Sequence, residues 1–294
     1  MFYTGHTDKV FAVAWSPVQA HIIASGGRDK TVQIWNALTG KALYTYEGHH
    51  AYVLSLAWSP NGEYLASGDT EGVVVIWHAS TGETLQIYHG HVRFVRSIAW
   101  SPDGRYIASG GDYGDSTVQV WVPFNGQLLY THKQQYRIFA VSWSPKNSLL
   151  ASGSFDGTVH VWNPFTGDNT LIYRGHPGPV YTVAWSPNGT TIASAGQDTT
   201  VHLWHASTGS SICTYSGHTQ PVKALDWSPD SRYVVSGSDD TTMQVWHAMT
   251  GERVSTYEMH RSWIRAVAWS QDGWYVAAAS DALVQITPVA VVRG

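Results

Sequence analysis

Hydrophobic and polar positions along this chain follow one short grammar, stated seven times. It is clearest between Val10 and Tyr46. Val10-Phe11-Ala12-Val13-Ala14-Trp15 is rich in β-branched and aromatic residues and predicts a strand. Ser16-Pro17 ends it, and in three other copies the break reads Ser-Pro-Asp-Gly or Ser-Pro-Asn-Gly, a turn signal. Ile22–Ser25 predicts a second strand and Gly26-Gly27-Arg28-Asp29 a tight turn. Thr31–Trp35 alternates with period two and predicts a third strand. Thr39-Gly40 turns the chain once more, and Ala42–Tyr46 predicts a fourth. No stretch carries a helical period. The tripeptide Trp-Ser-Pro starts at Trp15, Trp58, Trp100, Trp143, Trp185 and Trp227, and Trp269-Ser270-Gln271 is a seventh, altered copy. Successive spacings are 42 or 43 residues, with no linker or low-complexity run between them.

Four short antiparallel strands make a sheet too small to bury both of its faces. Stacking such sheets face to face around a ring solves that problem and leaves only short edges. At 294 residues the chain is near the upper limit for one hydrophobic core, so an array of seven units is the natural organisation. The expected fold is all-β: one seven-bladed β-propeller domain over residues 1–294, with four-stranded antiparallel blades. The seventh unit is the weak one. Thr287 stands where a third-strand Trp is due, Ala278 where a Ser is due, and its fourth strand runs off the C-terminus. Met1–Tyr3 should therefore pair onto the last sheet and close the ring. So short a closure suggests a domain cut from a longer chain.

Composition adds little beyond this. Fifteen Trp suit sheet-to-sheet packing and need no cofactor to explain them. A net charge of −4 argues against a chain built to coat nucleic acid or an acidic membrane. The lone Cys213 allows no internal disulfide and has no activating partner near it in sequence, so an inert thiol is expected. No signal peptide or bilayer-length apolar run is visible, and the expected compartment is cytoplasmic.

Five Gly-His pairs end at His6, His49, His91, His176 and His218, each nine residues before its Trp. His260 keeps the spacing, whereas in repeat four Gln134 occupies the His position. Turn acids fall at Asp29, Asp115, Asp156, Asp198, Asp240 and Asp281, with Glu71 in repeat two. Third-strand Trp residues are Trp35, Trp77, Trp121, Trp162, Trp204 and Trp246. These residues resemble the WD-repeat family over essentially the whole chain, except that Asn, His or Val follows Trp where the family has Asp. The regular repeats and their Ser-Pro-Asp-Gly turns are similar to bacterial WD-repeat arrays, which often sit beside signalling domains.

Ser, His and Asp together invite a hydrolase reading. The set recurs around the ring, however, whereas an active site needs one asymmetric place. The resemblance implies a structural role instead: a Trp–Ser–His–Asp hydrogen-bond chain inside each blade. Its members would be His6, His49, His91, His176 and His218, Asp29, Asp115, Asp156, Asp198 and Asp240, and the six Trp residues above, with Ser25, Ser67, Ser109, Ser152, Ser194 and Ser236. No catalytic residue, metal site or cofactor is expected. The fifteen His residues lack the usual zinc-ligand spacing, and no phosphate-cradling Gly-rich loop precedes a helix.

The meander sorts the loops by end. The entry to strand one and the turn between strands two and three share one end, here called the top. Outside the motif acids, the top carries Lys9, Arg28, Lys30, Arg93, Arg96, Lys133, Arg137, Lys223, Arg261 and Arg265 against Asp8, Asp69, Asp112 and Asp239. The bottom carries five basic residues and seven acids. The top also holds Phe11, Tyr52, Phe94, Tyr113, Phe139, Phe155, Tyr181 and Trp263. Arg mixed with Tyr, Trp and Phe is the composition of binding hot spots. The expected partner surface is therefore Lys9, Phe11, Arg28, Tyr52, Phe94, Arg96, Arg137, Phe139, Phe155, Tyr181, Lys223, Trp263 and Arg265, which would take an acidic or phosphorylated peptide. The expected function is a non-catalytic, monomeric protein-interaction platform, a scaffold or sensor in signalling. The alternatives are a propeller enzyme with a metal or quinone in the channel, or a nucleic-acid-binding propeller.

Overall fold

A computed structural model of the chain describes residues 1–258 and 262–289. The described residues form seven antiparallel four-stranded sheets and no helix. Blade 1 is the meander Val10–Trp15, Ile22–Gly27, Val32–Asn36 and Ala42–Tyr46. Blades 2 to 6 repeat it, with first strands Val53–Trp58, Val95–Trp100, Ile138–Trp143, Val180–Trp185 and Val222–Trp227. Blade 7 is built from Ala266–Trp269, Tyr275–Ser280, Leu283–Pro288 and, from the other end of the chain, Phe2–Tyr3. The first strands of neighbouring blades line the centre of the ring and contact one another all the way round, blade 7 against blade 1 included.

The hydrophobic core is divided into seven clusters, and clusters lie between blades. One joins Val10, Trp15 and Trp35 of blade 1 to Ala268, Ala277 and Ile286 of blade 7. Another joins Val32, Ile34 and Tyr46 of blade 1 to Val53, Leu65 and Trp77 of blade 2. Each sheet is thus covered by its neighbours, which is why no blade is self-sufficient.

Two kinds of Trp divide the work. First-strand indoles bind across the seam: the N–H groups of Trp15, Trp58, Trp100, Trp143 and Trp227 donate to the carbonyls of Ala268, Ala14, Ala57, Ala99 and Ala184 at 3.0–3.2 Å. At blade 7 the buried Asp226 carboxylate accepts the backbone N–H groups of Trp227 and Trp269, both at 2.8 Å, and burial pushes its pKa up to about 6.

Third-strand indoles are fully buried in blades 1 to 6 and anchor the expected network. In blade 1, Trp35 Nε1 donates to Ser25 Oγ (3.0 Å), which meets His6 Nε2 (2.8 Å), while His6 Nδ1 meets Asp29 (2.7 Å). The same chain runs through Trp121–Ser109–His91–Asp115, Trp204–Ser194–His176–Asp198 and Trp246–Ser236–His218–Asp240. Blade 2 differs from expectation. Trp77, Ser67 and His49 connect as foreseen, but the acid is Asp69, 3.0 Å from His49 Nδ1, not Glu71. Asp69 ends the second strand and reaches the imidazole from two residues earlier, while its other oxygen accepts the N–H groups of Glu71 and Val73. In blade 4, Gln134 Nε2 takes the His place and donates to Ser152 Oγ at 2.7 Å, with Trp162 donating to the same oxygen. Asp156 does not join that chain; it caps its own turn by accepting from Thr158 N and Oγ1. His260 lies outside the described residues.

A second element went unforeseen. The Tyr three residues before each motif His leaves its own blade and stacks on the third-strand Trp of the next. Tyr3–Trp35, Tyr46–Trp77, Tyr88–Trp121, Tyr173–Trp204 and Tyr215–Trp246 are near-parallel, with centroids 4.1–4.7 Å apart. The hydroxyl is clasped as well: Tyr3, Tyr88 and Tyr215 donate to the side-chain oxygens of Gln33, Gln119 and Gln244. Tyr3 explains how so short a strand closes the ring. Phe2 and Tyr3 pair with Gln285 and Val284, and the Tyr3 ring then seals blade 7 onto blade 1.

The seam between blades 3 and 4 is the exception. His132 stacks on Trp162 in place of Tyr (4.4 Å), and His160 stands where blades 1, 3 and 6 have the clasping Gln. Burial, and then the neighbouring His160, lowers the His132 pKa to about 4; burial also lowers that of His160. Both imidazoles therefore resist the proton in the folded chain more than in the unfolded one. Stability should be complete at neutral pH and fall as the pH drops from about 6.5 towards 4. We expect His132→Tyr with His160→Gln to blunt that loss, so that the gap in melting temperature between variant and parent widens from pH 7 to pH 5. A constant gap would refute it.

The hydrogen-bond chain yields a second expectation. His218→Ala leaves Ser236 and Asp240 short of a partner in a buried setting, at a cost of about 1–3 kcal/mol. Its melting temperature should fall, whereas His205→Ala, at an exposed position, should melt like the parent. Equal melting of all three would remove the network from the argument.

Candidate functional site

In blades 1 to 6 the first strand meets the second through a bulge. In blade 1, Val10 pairs with Gly27 and Ala12 with Gly26, which leaves Phe11 without a partner; blades 2 to 6 do the same. A bulge re-aims the side chain it frees. Here Phe11, Leu54, Arg96, Phe139, Tyr181 and Lys223 are joined by Arg265 of blade 7, one residue per blade, to line a single cavity of about 370 Å³. Of the thirteen residues expected to bind a partner, six lie in this ring: Phe11, Arg96, Phe139, Tyr181, Lys223 and Arg265. Leu54 belongs with them and was missed, although its place four residues before Trp58 marks it.

Cations and rings alternate at the mouth. The Arg265 guanidinium lies 5.3 Å from the centroid of Phe11 and 5.5 Å from that of Trp263. Lys223 Nζ sits 3.7 Å from the Tyr181 centroid, and Arg96 lies over Phe94. Arg137 lies over Tyr113 and Phe155, while Phe139 meets both Phe155 and Tyr181. Arg28 and Tyr52 form a separate cation–π pair at the rim of blades 1 and 2. Lys9 is only half-buried near them and touches none of the ring. Such contacts hold a guanidinium in place while its donors stay available.

The carboxylates nearby are largely committed. Asp112, its side chain 2% exposed, takes Arg96 Nε at 2.7 Å and Arg137 Nε at 3.8 Å, joining blades 3 and 4. Asp239 holds Lys223 at 3.4 Å, and Asp8 lies 3.6 Å from Arg28. Asp69, counted as a top-face acid from sequence, belongs to the blade 2 network. Arg265 has no carboxylate partner among the described residues, and its Nε is buried with no hydrogen-bond partner. Burial lowers the Lys223 pKa; Asp239 opposes this, and Arg265 and Arg96 add to it. Positive charge at the mouth is therefore only partly neutralised from within, and Arg265 is the cation left over.

His176, Asp198 and His202 bring ligand atoms within 4.8 Å of one another. His176 is already bonded to Asp198 and Ser194, and His202 Nδ1 is bonded to the Tyr173 hydroxyl at 2.8 Å. His202 fills the place of the clasping Gln, stacks on His176, and is held to a pKa of about 4 by burial and then by His176. The trio is thus blade 5's form of the structural network, and a metal would have to break that network to bind. Burial raises the Cys213 pKa, which keeps the thiol protonated.

Comparison with known proteins agrees with the architecture. Coronin-7 of Mus musculus is 42% identical over 62 residues, which is 21% of this chain and 7% of that protein. Ribosome assembly protein 4 of Chaetomium thermophilum is 38% identical over 61 residues, 21% of this chain and 12% of that protein. The peroxisomal targeting signal 2 receptor of Mus musculus is 37% identical over 60 residues, 20% of this chain and 19% of that protein. The aligned stretches thus span less than a fifth of each relative. The description "WD domain, G-beta repeat" matches residues 1–36, 40–78, 82–122, 126–163, 167–205, 209–247 and 251–286. With all seven blades matched, the chain belongs to the WD domain, G-beta repeat family.

Proposed function

We propose that the chain is a non-catalytic protein-interaction platform that holds an acidic or phosphorylated peptide across the top mouth of its channel. The observation that carries this reading is the ring of seven side chains, each four residues before its first-strand Trp. It sets Arg96, Lys223 and Arg265 among Phe11, Phe139 and Tyr181 around one cavity. Arg265 lacks a carboxylate among the described residues, and Lys223 feels the other two cations. An incoming carboxylate or phosphate would supply the missing charge through charge-assisted hydrogen bonds, and the rings would supply apolar area. The polar groups of the Ser-His-Asp sets are bonded inside the blades, which leaves them no nucleophilic role. That one relative is named as the receptor of a targeting signal suits a peptide-binding role.

The test is a double charge reversal, Arg96→Glu with Arg265→Glu, measured against an array of phosphorylated and acidic peptides. Arg105→Glu with Arg232→Glu, two exposed bottom residues, is the control. Loss of two partly desolvated contacts should weaken binding at least tenfold in the top variant and leave the control unchanged. Binding lost in the control and kept in the top variant would reassign the face. Binding of single-stranded nucleic acid but of no peptide by the parent, with that binding lost in the top variant, would favour the nucleic-acid reading.

A further inference from the structure

A second cavity of about 370 Å³ opens between blades 1 and 2 at the opposite end of the sheets, away from the channel mouth. Its walls include Ile22, Leu43 and Tyr44 of blade 1 and Trp58 and Ser80 of blade 2. At the next two seams an aromatic ring partly covers this place. Three residues after the third-strand Trp, blade 3 carries Phe124 and blade 4 carries Phe165. Phe124 packs on Tyr64 of the preceding blade (5.0 Å) and on its own Trp100 (6.3 Å). Phe165 packs on Tyr106 of the preceding blade (5.1 Å), and the cavity left beside it measures only about 140 Å³. In blade 2 the equivalent residue is Ser80, turned back to His78 Nδ1 at 3.1 Å. Trp58 is left half-buried, while the other six first-strand Trp residues are buried. Blade 5 also has Ser at this position, Ser207, but there Leu149 and Leu171 pack against the cluster that holds Trp185.

We infer that this groove is a docking site for an aromatic side chain, phenylalanine-like in shape, carried by an extended segment of a partner protein. The chain's own Phe124 and Phe165 define the occupant: a ring lying against the residue that opens strand two and against the first-strand indole. The one formal charge among the lining residues is the Glu63 carboxylate, so a basic residue beside the aromatic one completes the fit. This site is separate from the channel mouth and does not depend on it.

The test uses N-acetyl-phenylalanyl-lysinamide, with N-acetyl-alanyl-lysinamide as the control, titrated into the whole chain while the indole N–H signals are followed by NMR. Trp58→Phe identifies the Trp58 signal. That signal should move saturably with the phenylalanyl compound and not with the alanyl one, while those of Trp100 and Trp143 stay still. Ser80→Phe should abolish the movement and raise the melting temperature, because the chain then fills its own groove. Glu63→Gln should erase the preference for the lysinamide over the corresponding glutamate compound. The Arg96→Glu, Arg265→Glu variant should respond like the parent, which separates this site from the top face. A static Trp58 signal, or an equal response in Ser80→Phe, overturns the proposal. Equal movement at Trp143 overturns it as well.

Discussion

A fully buried indole sits at the centre of each of blades 1 to 6, and its N–H must find an acceptor. In a dry sheet interface that single requirement propagates outward. Ser supplies the acceptor, His bonds the same Ser, and an Asp at the turn bonds the His. The turn between strands two and three is thereby tied to the middle of the sheet. The ring of the same indole is then covered by a Tyr from the preceding blade. One side chain thus orders its own blade through hydrogen bonds and fixes the neighbouring blade through stacking. Blade 7, with Thr287 in that place, contributes no such anchor, so the seam from blade 6 to blade 7 lacks the Tyr–Trp stack, while the seam from blade 7 to blade 1 keeps it in Tyr3 and Trp35.

The fold was legible because its rules are local and recur. The four strands of blade 1 lie within a residue or two of their expected bounds, and the pairing of Met1–Tyr3 with blade 7 follows from counting what repeat seven lacks. Errors arose where two residues can do one job. Spacing alone puts Glu71 at the acid position, but a carboxylate two residues earlier reaches His49 just as well. The Tyr–Gln clasp was hidden for a different reason. Its partners are about 30 residues apart and belong to different blades, so a pattern sought inside one unit cannot contain it. The signal was present nonetheless, as a Tyr before each motif His and a Gln two before several third-strand Trp residues.

The site was legible in outline and not in its electrostatics. Sorting the loops by end placed Arg96, Lys223 and Arg265 on one face with Phe11, Phe139 and Tyr181, and these do share one cavity. A count of charges could not say which cations are already satisfied. Asp112 is one acid in such a count, yet by its position between two blades it engages both Arg96 and Arg137. Nor could it show that Arg265 rests on two rings and meets no carboxylate among the described residues. These are facts of the third dimension, set by how far each blade leans over the next.

The bulge in the first strands of blades 1 to 6 has an evolutionary consequence. Because the freed residue makes no ladder hydrogen bond and packs into no blade core, its identity is uncoupled from folding. Phe, Leu, Arg, Tyr and Lys all occupy it in this one chain without altering the sheet behind them. The channel mouth is thus a seven-letter word written one letter per blade on a frame that does not change. New specificities can be spelled by single substitutions, and a duplicated or exchanged blade brings its own letter with it.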